Sequence, residues 1–497
     1  MMLSLPSPEL LQIIIVFIIY IIAVLVIAII GKYVTRNLSD YILAGRRLSG
    51  PIAALGAGAS DMSSWLTMAL PGLIYTKGLN KIWMPIGLLI GAWCNWIFVA
   101  KRLRVYTEIA NNSLTLPSYL HNRFQDHKRI LRLVTSLASI MFFTCYAAAG
   151  FIAGAILFQD LFGLEYLPAL LLSSVIIISY TTIGGFLAVN WIDFFQGSLM
   201  FVALLIVPIV TVNNLGGIEP AVTIVHKINH NYLNIFSDLK ILGLSSLLVW
   251  GLGYFGQPHI NVRFMAIRSI TELPIARRIC MSWTLLSLLG AIATGFFGIA
   301  FYGQNNLESP ETVFLALSRA LFNPWVTGIL WSAVLASIMN SVSAYILTTA
   351  SIVVEDFVHL SGKKIVSDRQ CLLIGKIIMI IVSIIAVLLA LDQSKTILGS
   401  VAFAWSGLGA AFGPTILCSL YWRRMTKHAA ICGIIVGMVV VVISQKLLNH
   451  PDLGVGFEIL PGFLLSTLTI IIVTLYTKAP SKEVLAKFDM MLKQIKN

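Results

Sequence analysis

Charge is what this sequence has least of. Asp, Glu, Lys and Arg make up 11% of its 497 residues, where a soluble domain carries roughly a quarter. That scarcity excludes a soluble enzyme or binding module, and a mean hydropathy of +0.90 agrees. Cysteine is also sparse. The six cysteines lie singly in or beside apolar stretches with no CxxC pair, so they read as small apolar residues rather than disulfides or metal ligands. There is no GxxxxGK[ST] phosphate loop, so transport fuelled by ATP hydrolysis within the chain is not expected. No nucleophile, metal cluster or acid–base pair stands out, and no enzyme activity is expected. The longest polar connections are 101–132 and 214–240, with a short tail at 478–497. None could hold a separate domain.

What the chain does have is apolar blocks of bilayer-crossing length. Thirteen can be marked: 10–31, 50–76, 82–100, 133–160, 166–183, 191–213, 241–262, 280–302, 325–354, 371–391, 397–422, 428–445 and 456–477. The first lacks the basic flank and small-residue cleavage site of a signal peptide, so a retained helix is expected. Of the 34 Lys and Arg residues, 27 fall in the connections and tail on one side and 7 on the other. Positive-inside bias then places the N-terminus outside and the C-terminus in the cytoplasm. The net charge of +13 follows from that asymmetry, so no nucleic-acid partner is expected; lipid is.

Two blocks depart from the Leu/Ile/Val composition of an ordinary membrane helix. One reads Gly56-Ala-Gly-Ala-Ser-Asp61-Met-Ser-Ser-Trp65 and continues to Pro71-Gly72; the other reads Trp250-Gly-Leu-Gly-Tyr254-Phe-Gly-Gln257-Pro258-His259. Glycine and proline at mid-depth disfavour continuous helix. Close packing of small residues accounts for the glycines equally well, but poorly for Asp61, because an intramembrane carboxylate is costly and marks a partner, cavity or ion path. The breaks fall in the second and seventh spans. Five spans apart is an odd number, as an inverted repeat requires, and paired interrupted segments point to a transporter's binding site.

Freed carbonyls at such breaks suit a small hard cation, and half-helix N-termini suit a carboxylate. An amino acid zwitterion with a monovalent cation fits. In the ninth span, Ser337, Asn340 and Ser341 put oxygens near one helical face, although a membrane serine often satisfies itself on its own backbone. Trp250, Tyr254 and Pro258 follow i, i+4, i+8 spacing and are expected to line one face. Glu355 and Asp356, ending the ninth span, read as solvated or paired with loop cations.

These residues carry a resemblance. Asp40-Tyr-Ile-Leu-Ala-Gly-Arg46, Gly58-Ala-Ser-Asp-Met-Ser63 with Trp65, Ile183-Gly-Gly-Phe-Leu-Ala-Val189 with Trp191 and Asp193, the Trp250–His259 stretch with Arg263-Phe-Met-Ala266, and Gly407-Leu-Gly-Ala-Ala-Phe-Gly-Pro414 all resemble the sodium/solute symporter family. The likeness runs through nearly the whole chain and is strongest to the family's bacterial sodium/proline branch.

The resemblance implies an all-α integral membrane protein of about thirteen transmembrane helices in a five-plus-five inverted repeat of the leucine-transporter type. Its parts would be an extra helix at 10–31, repeats at 50–213 and 241–422, two helices in 428–477 and the tail. It implies a bacterial inner-membrane carrier that imports L-proline with sodium, without an obligatory protein partner. Trp250, Tyr254, Pro258, Tyr146 and Ser63 would shape the proline pocket. The carbonyls of Ala59, Met62 and Ser337, with side-chain oxygens of Asn340 and Ser341, would surround sodium. Asp61 would support the cation electrostatically. Asp193 would serve an inner ion-exit path, a reading its expected place in a first helical turn, complementing the dipole, rivals evenly. Arg46 would line the cytoplasmic opening. The proline branch usually has serine then threonine where this chain has Asn340 and Ser341, so sodium is expected with altered affinity. The alternatives are proton-coupled proline transport and a sodium symporter for another small solute.

Overall fold

The computed structural model describes residues 8–34, 43–184, 186–237, 239–304, 306–360, 368–447 and 455–496. The opening of the first quoted motif (40–42) and Gly185 lie outside them. Among the described residues the chain is helical throughout, with a single isolated bridge between Leu48 and Ile267.

Among the described residues, eleven helices are long and apolar enough to cross a membrane. That is two fewer than the thirteen blocks marked from sequence. The missing two are the interrupted blocks, for a physical reason: a break divides each into pieces too short to span alone. The first runs Gly50–Asp61, then a π-helical turn Trp65–Ala69, then Leu70–Lys77. The second runs Ile241–Leu248, a 3-10 stretch Val249–Gly256, then Pro258–Ala266.

Around these two the helices form shells. Pro324–Leu360, Ile397–Tyr421 and Ile130–Phe162 are buried along most of their length, while the first helix and the helices at 370–389, 427–447 and 459–476 are mostly exposed. The exposed side chains are apolar, among them Ile18, Ile22, Val175 and Leu388. Apolar outer surface over a packed interior is the arrangement a hydrocarbon solvent demands.

Both polar ends are tied down. The connection before the second interrupted helix contains its own helix, Ile218–Ile228, and docks just after the first, on the turn Gly78–Lys81 and the start of the next helix: Asn80 donates to the Ser237 carbonyl at 3.1 Å and Trp83 to Ile235 at 2.8 Å. Gly78 permits this approach, since its φ is +74° and a Cβ there would lie 2.6 Å from the Tyr232 Cα. The tail, expected only as a short extension, is the helix Lys482–Lys496. It buries Phe488 and Met491 and its Asp489 receives both prongs of Arg423 at 2.8 Å.

Candidate functional site between two interrupted helices

At the first break Met62 leaves helical geometry (φ −88°, ψ 79°). The Ser63 amide turns to the Asp61 carbonyl at 3.1 Å and the Leu66 amide to Ser63 at 3.0 Å. Ala59 and Met62 are thereby relieved of the amide four residues on, which would cap each carbonyl in an unbroken helix. The Trp65 indole fixes the kink by donating to the Asp61 carbonyl at 3.0 Å. Just beyond, Thr67 meets Ser337 hydroxyl to hydroxyl at 2.9 Å, setting this break against Pro324–Leu360.

On that helix Ser341 donates to the Ser337 carbonyl at 2.9 Å, and Ser337 donates to Val334 at 2.8 Å. Back-bonding serines are the plain expectation, and with its own proton on Val334 the Ser337 hydroxyl accepts from Thr67. Asn340 differs. It is buried, and its Oδ1 has no hydrogen-bond partner. A carbonyl oxygen without a donor, on the helix set against relieved backbone carbonyls, has the chemistry of a hard-cation ligand.

The second break has a different geometry. Because Val249–Gly256 is a 3-10 helix with three residues per turn, residues four apart stand about 120° around the axis, and Gln257 (φ −86°, ψ 105°) then redirects the chain. The expected single face of Trp250, Tyr254 and Pro258 is therefore not formed. Trp250 points to the segment before the last span, donating to the Val455 carbonyl at 2.8 Å. Tyr254 donates to the Asp61 carboxylate at 2.5 Å and packs edge-on against Trp405. Pro258 lines a separate small cavity with Thr115, Leu347 and Ser351. The three residues succeed one another along the helix instead of sharing a wall.

Tyr146 stacks on Tyr345 with ring centroids 4.3 Å apart and lies within electrostatic reach of Asp61 and Tyr254. Tyr345, in turn, lies close to Ser63 and Ser341. Tyr345, Thr67 and Trp405 were not singled out from sequence. Tyr345 falls four residues after Ser341, one helical turn along the same face, and that spacing could have found it.

Asp193 does not take the first-turn place expected of it, and Arg46 is tied down by hydrogen bonds. The helix carrying Asp193 begins at Phe186, so Asp193 sits beyond the first turn and the dipole account fails. Its carboxylate is fully buried against Arg263 at 2.8 Å, and Arg263 also donates to the His259 carbonyl at 3.0 Å. Arg46 is held by Asn112 at 2.8 Å, Thr107 at 3.2 Å and the carbonyls of Met265 and Ser113 at 2.7 and 2.8 Å. It ties the connection before the first interrupted helix to the end of the second. Burial and, behind it, neighbouring Arg104 lower its guanidinium to about 10, which leaves it charged at neutral pH. Of the two expectations for Glu355, pairing with a loop cation holds and solvation does not: it is buried, lies 3.9 Å from Arg132 and accepts from Thr115.

Residues 41–437 match the model of the sodium:solute symporter family. The chain belongs to that family. It is 46% identical over 457 residues to the high-affinity proline transporter PutP of Bacillus subtilis (strain 168), covering 92% of this chain and 96% of that protein. To the sodium/proline symporter of Escherichia coli (strain K12) it is 43% identical over 460 residues, 91% of each chain. The fold matches a sodium-coupled sialic acid symporter solved in a substrate-bound outward-open state, with a TM-score of 0.81 at 18% identity over 95% of this chain and 99% of that one. It also matches MhsT in complex with L-phenylalanine, with a TM-score of 0.54 at 15% identity over 86% of this chain and 97% of that one. The all-helical, leucine-transporter type of fold expected from the motifs is the fold of the symporter family found here.

Proposed function

We propose that this protein imports L-proline together with sodium by alternating access, with its N-terminus outside and its C-terminus in the cytoplasm of a bacterium. Thirteen crossings, with the interrupted helices counted as the second and seventh and repeats at 50–213 and 241–422, satisfy that orientation. One observation carries the cation part. The first break relieves the Ala59 and Met62 carbonyls, and the Thr67–Ser337 contact sets that break against the helix where Asn340 presents an unpartnered oxygen. With Ser337 and Ser341 these supply the all-oxygen surroundings that sodium favours. Proline as substrate rests on the named proline carriers of similar length and sequence.

In this reading sodium enters first, joins the break to Pro324–Leu360, and so orders Tyr146 and Ser63 for the amino acid. The Asp61 charge, held by Tyr254, favours both the cation and the substrate ammonium. Each ligand raises the other's affinity by the same factor, as linkage requires. The test is uptake of radiolabelled proline by proteoliposomes under separately imposed gradients. Accumulation under a sodium gradient is expected. Accumulation under a proton gradient alone would overturn the cation, and none under either gradient would overturn the substrate.

A further inference from the structure

His259 has no place in the site as described so far. It opens the inner half of the second interrupted helix, directly after Pro258, and is completely buried. Neither ring nitrogen has a hydrogen-bond partner. Three aromatic rings enclose it: Tyr345 at 5.0 Å and 87°, Phe143 at 5.6 Å and 74°, Tyr146 at 6.2 Å and 81°. Its neighbour Tyr345 is equally buried, and its hydroxyl makes no hydrogen bond of good geometry, with Tyr146, Ser63 and Ser341 nearby. Buried donors left unmade cost about 1–3 kcal/mol each, and native proteins rarely retain them without a ligand or bound water. Here two stand together on facing helices, Pro258–Ala266 and Pro324–Leu360.

The charge layout assigns them a ligand class. Asp61 lies within electrostatic reach of Tyr345 and Tyr146 and supplies the only negative charge of this cluster among the described residues. An amino acid zwitterion lying between the breaks turns its ammonium toward Asp61. Its carboxylate then faces away, toward groups that can donate. Arg263 is adjacent in sequence space, one turn on, but its guanidinium is held by Asp193 and the His259 carbonyl. Beyond the Tyr146 and Ser63 hydroxyls already assigned to the amino acid, the donors of this cluster are the His259 ring N–H and the Tyr345 hydroxyl.

We infer that His259 and Tyr345 are specificity residues that donate hydrogen bonds to the carboxylate of the transported amino acid. The inference rests on the amino acid reading above and names what recognises the acid end. A hydrogen bond to a charged group is stronger than one to a neutral group, so a site with these two donors discriminates a carboxylate from its uncharged amide. A histidine that merely fills space, or one satisfied by trapped water, would not.

The experiment measures inhibition of labelled proline uptake by unlabelled proline and by prolinamide, in wild type, Tyr345→Phe, His259→Leu and His259→Asn. Tyr345→Phe removes one oxygen and keeps the ring stack, so it tests the inference even if His259→Leu does not fold. Proline is expected to weaken at least tenfold in Tyr345→Phe and His259→Leu, with prolinamide moving less than threefold. The half-saturating sodium concentration at saturating proline should hold within twofold. His259→Asn, which keeps a donor, should recover part of the preference. If Tyr345→Phe reaches the membrane and keeps the wild-type ratio of proline to prolinamide, the inference is overturned. The same holds if the wild type does not distinguish the two. Failure of the wild type to take up proline under any gradient would instead remove the underlying substrate reading.

Discussion

The two interrupted helices answer the same need by opposite means. The first break is open in its backbone: a kink at Met62 and a π-helical turn leave carbonyls without helical amides. The second is closed by packing. Its 3-10 stretch is pressed on several sides, so that a Cβ on Gly251 would lie 2.2 Å from the Gly87 carbonyl and one on Gly253 would lie 2.0 Å from the Trp405 indole nitrogen. Its freed polar groups are largely re-satisfied, as Gln257 donates to the carbonyls of Gly253 and Trp405 at 3.2 Å. The first break keeps carbonyls without helical amides, and the second is a rigid wall with rings on it. Similar glycine-rich sequences thus open the backbone in one place and pack it closely in the other.

The contrast predicts where substitution is least tolerated. Gly251→Ala drives a methyl group into backbone that cannot yield. The expected cost is upwards of about 3 kcal/mol, the upper range for overpacking, with little folded carrier recovered. The amount of monodisperse protein after detergent extraction checks this. A Gly251→Ala carrier of normal yield and activity would show that the wall is softer than its distances imply.

Next in size is the pair that fastens the second helix from below. Asp193→Ala leaves the Arg263 charge buried and alone, which costs about 3–5 kcal/mol. Asp193→Leu combined with Arg263→Met removes both charges and should restore most of the lost thermal stability. Uptake by the double variant then separates a structural pair from an ion path. Recovered stability with recovered sodium-driven uptake would exclude Asp193 from the path of the ion.

The first break should respond in affinity, not in folding. Asn340→Ala removes the unpartnered oxygen, and the sodium concentration for half-maximal uptake is expected to rise about tenfold, the loss of roughly 1.4 kcal/mol. Thermal stability without sodium should change little, since no protein contact of Oδ1 is lost. An unchanged sodium dependence would mean that this oxygen does not face the cation.

How much of this could be read in the sequence depended on the kind of physics involved. Span length and hydropathy are additive along the chain, so the blocks and both breaks were visible as composition. The phase of the second break was not, because a 3-10 stretch and an α-helix differ in rotation per residue, not in residue type. That is why Trp250, Tyr254 and Pro258 were expected on one face and stand on three. Partnership across the fold was equally hidden: Asp193 had Arg263 within a quoted motif, yet the two are 70 residues apart and only packing joins them. Tyr345 and His259 show the same limit, since burial without a partner is a property of the folded surroundings.

The smallest expected effect lies where the connection before the first interrupted helix meets the end of the second, the end that the proposed orientation turns to the cytoplasm, because the clasp there is redundant. Leu48 pairs with the backbone at Ala266 and Arg268 at 3.2 and 2.9 Å, Arg46 makes four hydrogen bonds, and Thr115 joins Leu116–Phe124 to Pro324–Leu360 through Glu355. Thr115→Val removes only the last of these and the helix cap with it, at a cost of about 1 kcal/mol. The cavity behind Thr115, which Pro258 and Ser351 also line, should then open to the cytoplasm more often. A cysteine introduced at Ser351 reports this directly: its labelling from the inner side is expected to rise several-fold in Thr115→Val, and sodium should suppress the rise by favouring the outward-open form. Labelling that neither the substitution nor sodium alters would show that Arg46 and the Leu48 bridge hold the inner end shut on their own.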